Sequence, residues 1–161
     1  ILQRANRDLE ASGVIVVAAA GNRSQYDPAA NGHIGAGHSP KIYPACYSLI
    51  QNNVITVTTV ISDTRHSFRV YENYSPAFVD TGALANGGSP AQPGEFLIPG
   101  FWDSYDGSSF AVPYVAAKVA QVLSTSTGYM SRRALLHKIR AFHEEPTLAD
   151  QIRDGGSYVT V

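Results

Sequence analysis

Apolar residues return at helical spacing from the first turn of the chain. Leu2, Ala5, Asn6 and Leu9 line up, and Gly13 follows where helices commonly stop, so residues 2–12 read as an amphipathic helix. The run from Val14 to Ala20 is apolar without alternation and rich in β-branched residues. A short run of this kind suits a strand covered on both faces, as in a parallel sheet. Gly21-Asn22 ends it. Helix, glycine and buried strand in that order form the second half of a βαβ unit. Val54 to Ile61 is the next strong strand, Phe78 to Asp80 reads as a short third, and Tyr158 to Val161 reads as a terminal strand after the Gly155-Gly156 turn. From Ser109 to Ser124 so few polar positions occur that the pattern predicts a helix buried nearly all round. Ser131 reads as the N-cap of a last helix reaching to about Phe142, with Leu135, Ile139 and Phe142 on one stripe. The expected fold class is therefore α/β, a three-layer α/β/α arrangement around a mostly parallel sheet.

Two long segments, Arg23 to Pro40 and Gly82 to Gly100, are rich in Gly, Pro, Asn and Ser and read as loops. Stretches this long inside a compact unit are usually functional or insertions. No internal repeat and no linker divides the 161 residues, so 1–161 reads as one unit.

Composition narrows the function classes. Charged residues are 16% and the formal net charge is -1, which leaves no basic surplus to neutralise nucleic-acid phosphates. The apolar share of 44% is enough for a buried core and excludes disorder of the whole chain. Cys46 is the single cysteine, so no disulfide framework exists. No apolar stretch approaches the roughly 20 residues of a membrane span. The chain opens Ile1-Leu2-Gln3-Arg4 with neither Met nor a signal-like segment, and is read as a processed or cropped chain whose compartment is not legible.

Two short constellations carry candidate chemistry. In Gly107-Ser108-Ser109-Phe110-Ala111-Val112-Pro113 a serine heads an apolar helix. The first N–H groups of a helix lack intrahelical partners and the dipole there favours negative charge. Pro113 conflicts with the carbonyl four residues back, that of Ser109 itself, so the helix is expected to start irregularly and leave Ser109 at an opening. A serine nucleophile needs that placement and a base to take its proton. Taken alone, the same residues describe an ordinary helix-capping serine. The second constellation is Ala19-Ala20-Gly21-Asn22. Ligands of open α/β sheets bind beyond the carboxyl ends of the strands, and Asn22 at such an end has an amide able to donate to a developing oxyanion. Taken alone, it is also a simple Gly-Asn turn.

Together, and with the order of the segments between them, these residues resemble the subtilisin-like serine proteases (subtilases, the peptidase S8 family). Gly13 to Asn22 is similar to the strand and oxyanion-asparagine segment of that family. Tyr43-Pro44-Ala45 followed by Asn53 to Val57 resembles its next loop and strand, and Glu72-Asn73-Tyr74-Ser75 with Val79-Asp80 resembles the segment before the serine region. Asp106 to Ala116 resembles the serine signature Gly-Thr-Ser-Met-Ala-x-Pro-x-Val-Ala, with Ser108 in place of Thr and Phe110 in place of Met. The resemblance implies a partial subtilisin-like fold and a polypeptide substrate. It implies Ser109 as nucleophile, Asn22 as oxyanion-hole donor beside the Ser109 N–H, and Ala19, Ala20 and Gly21 as one wall of the pocket for the residue before the scissile bond. A secreted or periplasmic setting would be in keeping with it.

The family's Asp and His precede the asparagine strand, and nothing before Gly13 resembles either motif. The chain thus resembles the C-terminal portion of a subtilase catalytic domain. Its expected partner is the missing N-terminal half, in the same parent chain or a partner chain, and the chain alone is expected to be inactive. None of His33, His38, His66, His137 and His143 sits where the family places its base; they read as solvated histidines, and the His33/His38 pair is weak as a metal pair. No cofactor is expected. Calcium is compatible with the family, but Asp27, Asp103 and Asp106 match no binding loop. The alternative reading is a catalytically inactive subtilase-like binding or structural module. A serine esterase is disfavoured because Ala111 stands where a Gly-x-Ser-x-Gly elbow needs glycine, and a dinucleotide-binding fold because no G-x-G-x-x-G turn joins strand to helix.

Overall fold

The structure is a computed structural model that describes residues 1–22, 33–35, 41–62, 68–86, 95–97, 104–140 and 144–160. Its centre is a sheet in which β1 (Val16–Ala19), β2 (Val54–Ser62), β4 (Thr81–Leu84) and β7 (Tyr158–Val159) lie side by side in that order, all parallel. Strand β3 (Phe68–Val70) turns back along the far end of β2 as an antiparallel partner. A separate two-stranded ribbon joins β5 (Phe96–Leu97) to β6 (Ser104–Tyr105). Parallel neighbours require crossover connections, and the one from β4 to β7 contains two helices, α2 (Ser108–Ser124) and α3 (Arg132–Arg140).

The alternation along β2 divides the core. Ile55, Val57 and Ile61 point to the face covered by α2 and α3, where Ala111, Val115, Leu135 and Leu136 meet them. Val60 points to the other face, with Ile34, Cys46, Phe78, Leu148 and Ile152. Thr56 and Thr58 share that second face and satisfy their hydroxyls there, on the carbonyls of Ala45 (2.7 Å) and Asn73 (2.7 Å). Among the described residues this second layer is built from short 3-10 helices, Ala45–Leu49 and Pro146–Leu148, and irregular chain. The α/β class and the parallel sheet agree with the pattern of apolar runs.

Several boundaries differ from expectation, each for a local reason. The third strand is not Phe78–Asp80: Phe78 and Val79 N–H both donate to Ser75 O in a turn, Asp80 N–H donates to Thr56 O of β2, and the strand begins at Thr81. The last helix is described over Arg132–Arg140, with Ser131 Oγ accepting the Ala134 N–H at 3.3 Å as its cap; its expected end near Phe142 lies outside the described residues. Helix α2 is buried on one stripe only, through Ser108, Ala111, Val115 and Val119. The sheet meets that side alone, so Ala117, Ala120 and Leu123 are exposed. Helix α1 (Leu2–Ala11) behaves in the same way. It is tied to the turn before β2 by Gln51 Nε2 donating to Gln3 O and Asn53 Nδ2 donating to Asn6 O, while Leu2 and Leu9 remain exposed. No helix among the described residues is long and apolar enough to cross a membrane.

Candidate active site

Strand β1 delivers Asn22 to the carboxyl edge of the sheet. Its last ladder bond is Ala20 N–H to Val57 O at 2.8 Å, after which the chain leaves the sheet. Asn73 fixes the exit point. Its side-chain Nδ2 donates to Ala20 O at 3.1 Å, its own N–H donates to Gly21 O at 3.2 Å, and its carbonyl accepts the Thr58 hydroxyl. One buried amide thus ties the end of β1 to the middle of β2. Ala20 is fully buried in the core, so its side chain faces the interior, whereas Ala19 and Gly21 are half-buried at the edge.

Helix α2 begins against this edge. Ser108, its first residue, is fully buried and locks onto Asn22: Ser108 N–H and Ser108 Oγ both donate to Asn22 Oδ1 at 3.2 Å, and Ser108 Oγ accepts the Gly21 N–H at 3.0 Å. Gly107 precedes it with φ 103°, and a Cβ placed there would lie 3.0 Å from Asn22 Nδ2. A side chain at 107 would strike the asparagine amide, and the left-handed backbone itself favours glycine. The helix runs from Ser108 with Pro113 in its interior; its first turn closes by Phe110 N–H donating to Gly107 O at 3.0 Å, and Pro113 has no N–H to offer the Ser109 carbonyl.

Because Oδ1 of Asn22 is occupied by Ser108, its orientation is set and Nδ2 is turned to the donor role. Nδ2 makes no hydrogen bond among the described residues, and neither do the N–H and Oγ of Ser109, the next residue of α2 and an exposed one. The structure therefore brings Asn22 and the head of α2 to one place. It leaves two N–H donors and one hydroxyl open at a helix N-terminus, the end where partial positive charge favours an anion. The sequence alone assigns no role to Asn73, Gly107 or Ser108. Their roles arise from contacts 50 to 90 positions apart, which local patterns do not reveal.

The other candidates scatter. His33 packs on Tyr74, ring centroids 5.2 Å apart. His137 lies exposed on α3, while His38, His66 and His143 lie outside the described residues. Asp27 and Asp103 also lie outside them, and Asp106 is exposed. Among the described residues no three His, Cys, Asp or Glu side chains gather to hold a metal, so no calcium site is assigned to them.

Charge is concentrated at the opposite end of the parallel strands. Asp80, directly before β4, is fully buried. It accepts the Thr56 N–H at 2.9 Å and Arg153 Nη1 at 3.0 Å, with Arg132 at 3.6 Å, and Arg140 donates to its backbone carbonyl. Burial pushes its carboxyl up from the usual range, and the guanidinium groups of Arg132 and Arg153 pull against that rise. Burial likewise lowers Arg140, opposed by Asp80 and Asp154.

Known structures reproduce this arrangement of elements. A structure of the subtilase cytotoxin assembly matches with TM-score 0.63 at 18% identity, over 98% of this chain and 49% of that one. The A-subunit of the AB5 toxin from E. coli matches with TM-score 0.63 at 20% identity, over 98% and 50%. Sphericase matches with TM-score 0.57 at 18% identity, over 96% and 47%. The chain thus spans about half the length of these structures, and at such identities the likeness is one of fold. No curated protein matches the chain. The sequence model of the subtilase family matches residues 2–154, nearly the whole chain. The chain belongs to the subtilase family.

Proposed function

We propose that this chain supplies the nucleophile and the oxyanion-binding half of a subtilisin-type serine endopeptidase, which hydrolyses peptide bonds through an acyl-enzyme on Ser109. The observation that carries this reading is the lock between Ser108 and Asn22, which leaves Asn22 Nδ2 and the Ser109 N–H as open donors beside an exposed Ser109 hydroxyl. In the first half-reaction a base removes the Ser109 proton as Oγ attacks the peptide carbonyl. Asn22 Nδ2 and the Ser109 N–H receive the oxyanion. The carbonyl re-forms, the C–N bond breaks, and the base returns its proton to the leaving amine. Water then attacks the ester by the same route and frees Ser109. Ala19 and Gly21 form one wall for the residue before the scissile bond, and Ala20 contributes to it through its backbone.

Among the described residues no imidazole or carboxylate hydrogen-bonds to Ser109. Without a base the hydroxyl is an ordinary alcohol and a poor nucleophile. The histidine and aspartate come from a further segment, the N-terminal half of the catalytic domain, in the same parent chain or a partner chain. Three features support such a partner. The similar structures are about twice as long. The outer edge of β1 has no strand beside it among the described residues. Leu2 and Leu9 of α1, and Ala117, Ala120 and Leu123 of α2, present apolar surface to solvent. The 161 residues alone are inactive on this reading.

The test is labelling by a fluorophosphonate, which reacts with an activated serine. The full-length protein carrying this chain is expected to label, its Ser109→Ala variant and the 161-residue chain alone to stay unlabelled. Labelling that survives Ser109→Ala, or a folded full-length protein that does not label at all, overturns the assignment.

A further inference from the structure

The amino ends of the parallel strands carry a cavity of about 540 Å³ that the proposed protease chemistry does not use. One wall is a single face of α3, where Arg133, His137 and Arg140 follow each other at intervals of four and three residues. Arg132 and Arg153 complete the basic lining, and Glu144 and Asp154 are the acidic groups within it. We infer that this cavity binds a phosphate-class oxyanion, as inorganic phosphate or as the phosphate of a small phosphorylated molecule.

The protein uses most of these guanidinium donors internally. Arg153 spends its guanidinium on Asp80, on Ser48 O and on Ala77 O. Arg132 spends Nη1 on Ser48 O and, at 2.9 Å, on Val54 O. Arg140 gives Nη2 to the Asp80 carbonyl and Nη1 to Asp154 at 3.5 Å. Its Nε is buried and has no partner among the described residues, although the residue is only 8% exposed. A buried guanidinium N–H without an acceptor is a costly arrangement unless an acceptor arrives. Arg133 is exposed and has no ion-pair partner among the described residues.

Four guanidinium groups (Arg132, Arg133, Arg140, Arg153) therefore face three carboxylates (Asp80, Glu144, Asp154). The guanidinium left without an ion-pair partner among the described residues is that of Arg133, on the α3 wall of the cavity. Guanidinium forks match the oxygens of phosphate in spacing and plane. The chain as a whole carries a net charge of -1, so the attraction is local to this cavity and suits a small anion rather than a nucleic acid. The site stands at the opposite end of the strands from Asn22 and Ser109, so it does not depend on the protease reading.

The test is calorimetric titration of the purified full-length protein carrying this chain with inorganic phosphate and pyrophosphate, against malonate at matched ionic strength in chloride buffer. Saturable binding of phosphate is expected with a Kd of about 1 mM or tighter, and no saturable binding of malonate. Arg133→Glu, a surface change, is expected to weaken phosphate binding about tenfold or more. Lys118→Glu, an equal charge change on an exposed position of α2, is expected to leave it unaltered. Tighter binding of pyrophosphate than of phosphate assigns the ligand to a larger phosphorylated molecule; equal binding assigns it to inorganic phosphate. Equal binding of malonate, equal loss in both variants, or no saturable phosphate binding overturns the inference.

Discussion

The two ends of the parallel sheet solve the problem of holding polar groups in opposite ways. At the carboxyl end the hydrogen-bonded side chains are neutral. Asn22, Ser108 and Asn73 hold one another and the backbone by amide and hydroxyl bonds, and Ser109 is left outside with its donors open. At the amino end the parts are charged, and a fully buried Asp80 gathers the arginines at 132, 140 and 153. Neutral groups can be fixed in place without desolvating a charge, so the carboxyl end keeps its geometry and its unused hydrogen-bonding capacity together. The charged end clamps the chain at Ser48, Val54, Ala77 and Asp80, and removing one member strands the rest. On the proposed function, one end supplies the chemistry and the other stabilises the fold that carries it.

Substitutions should separate these roles cleanly. The largest effect is expected from Ser109→Ala in the full-length protein carrying this chain. Peptidase activity should fall by about a millionfold, the magnitude known for the nucleophile of subtilisin itself. The unfolding free energy should move by no more than about 0.5 kcal/mol, because Ser109 is exposed. Asp80→Ala should do the reverse. It leaves buried guanidinium groups unpaired and should cost about 3–5 kcal/mol in urea unfolding. The fluorophosphonate labelling rate of whatever remains folded should stay near that of the parent. A large loss of labelling in folded Asp80→Ala would show that the two ends are not separable.

The contrast also explains what the sequence could disclose. The carboxyl end was readable because its parts are local: an apolar run stopped by Gly21-Asn22, and a serine heading an apolar helix. The arginine cluster was not, because Asp80, Arg132, Arg140 and Arg153 are scattered over 73 positions and meet only once the strands are side by side. Strand β4 was misplaced for a related reason. Gly82 reads as a loop residue, but a Cβ there would come within 2.2 Å of Val60 Cγ2, so the glycine marks strands packed closely rather than a turn. The apolar residues of α2 correctly signalled a helix against the sheet. They overstated its burial, because only one stripe meets that sheet among the described residues.

A smaller effect is expected at Asn22. Asn22→Ala in the full-length protein removes one oxyanion donor and leaves the Ser109 N–H. A fall of about 10²–10³ in kcat is expected, a magnitude established on the corresponding asparagine of subtilisin, with KM nearly unchanged. A fall in kcat/KM carried by KM alone would mean that Asn22 binds substrate rather than the transition state.

The finest test compares two glycines of nearly identical φ. Gly107 has φ 103° and Gly128 has φ 104°, yet a Cβ at Gly128 meets nothing within 4 Å while one at Gly107 meets Asn22 Nδ2 at 3.0 Å and Oδ1 at 3.1 Å. Both alanine variants force a side chain into left-handed backbone, which should cost each about 1–3 kcal/mol of stability. Only Gly107→Ala also displaces the asparagine amide from Ser108. If the lock between these residues sets the oxyanion donors, labelling by fluorophosphonate should slow in Gly107→Ala and hold steady in Gly128→Ala at matched fraction folded. Equal labelling rates would show that the amide settles into its working position without Ser108, and that the order of the carboxyl end is looser than its hydrogen bonds suggest.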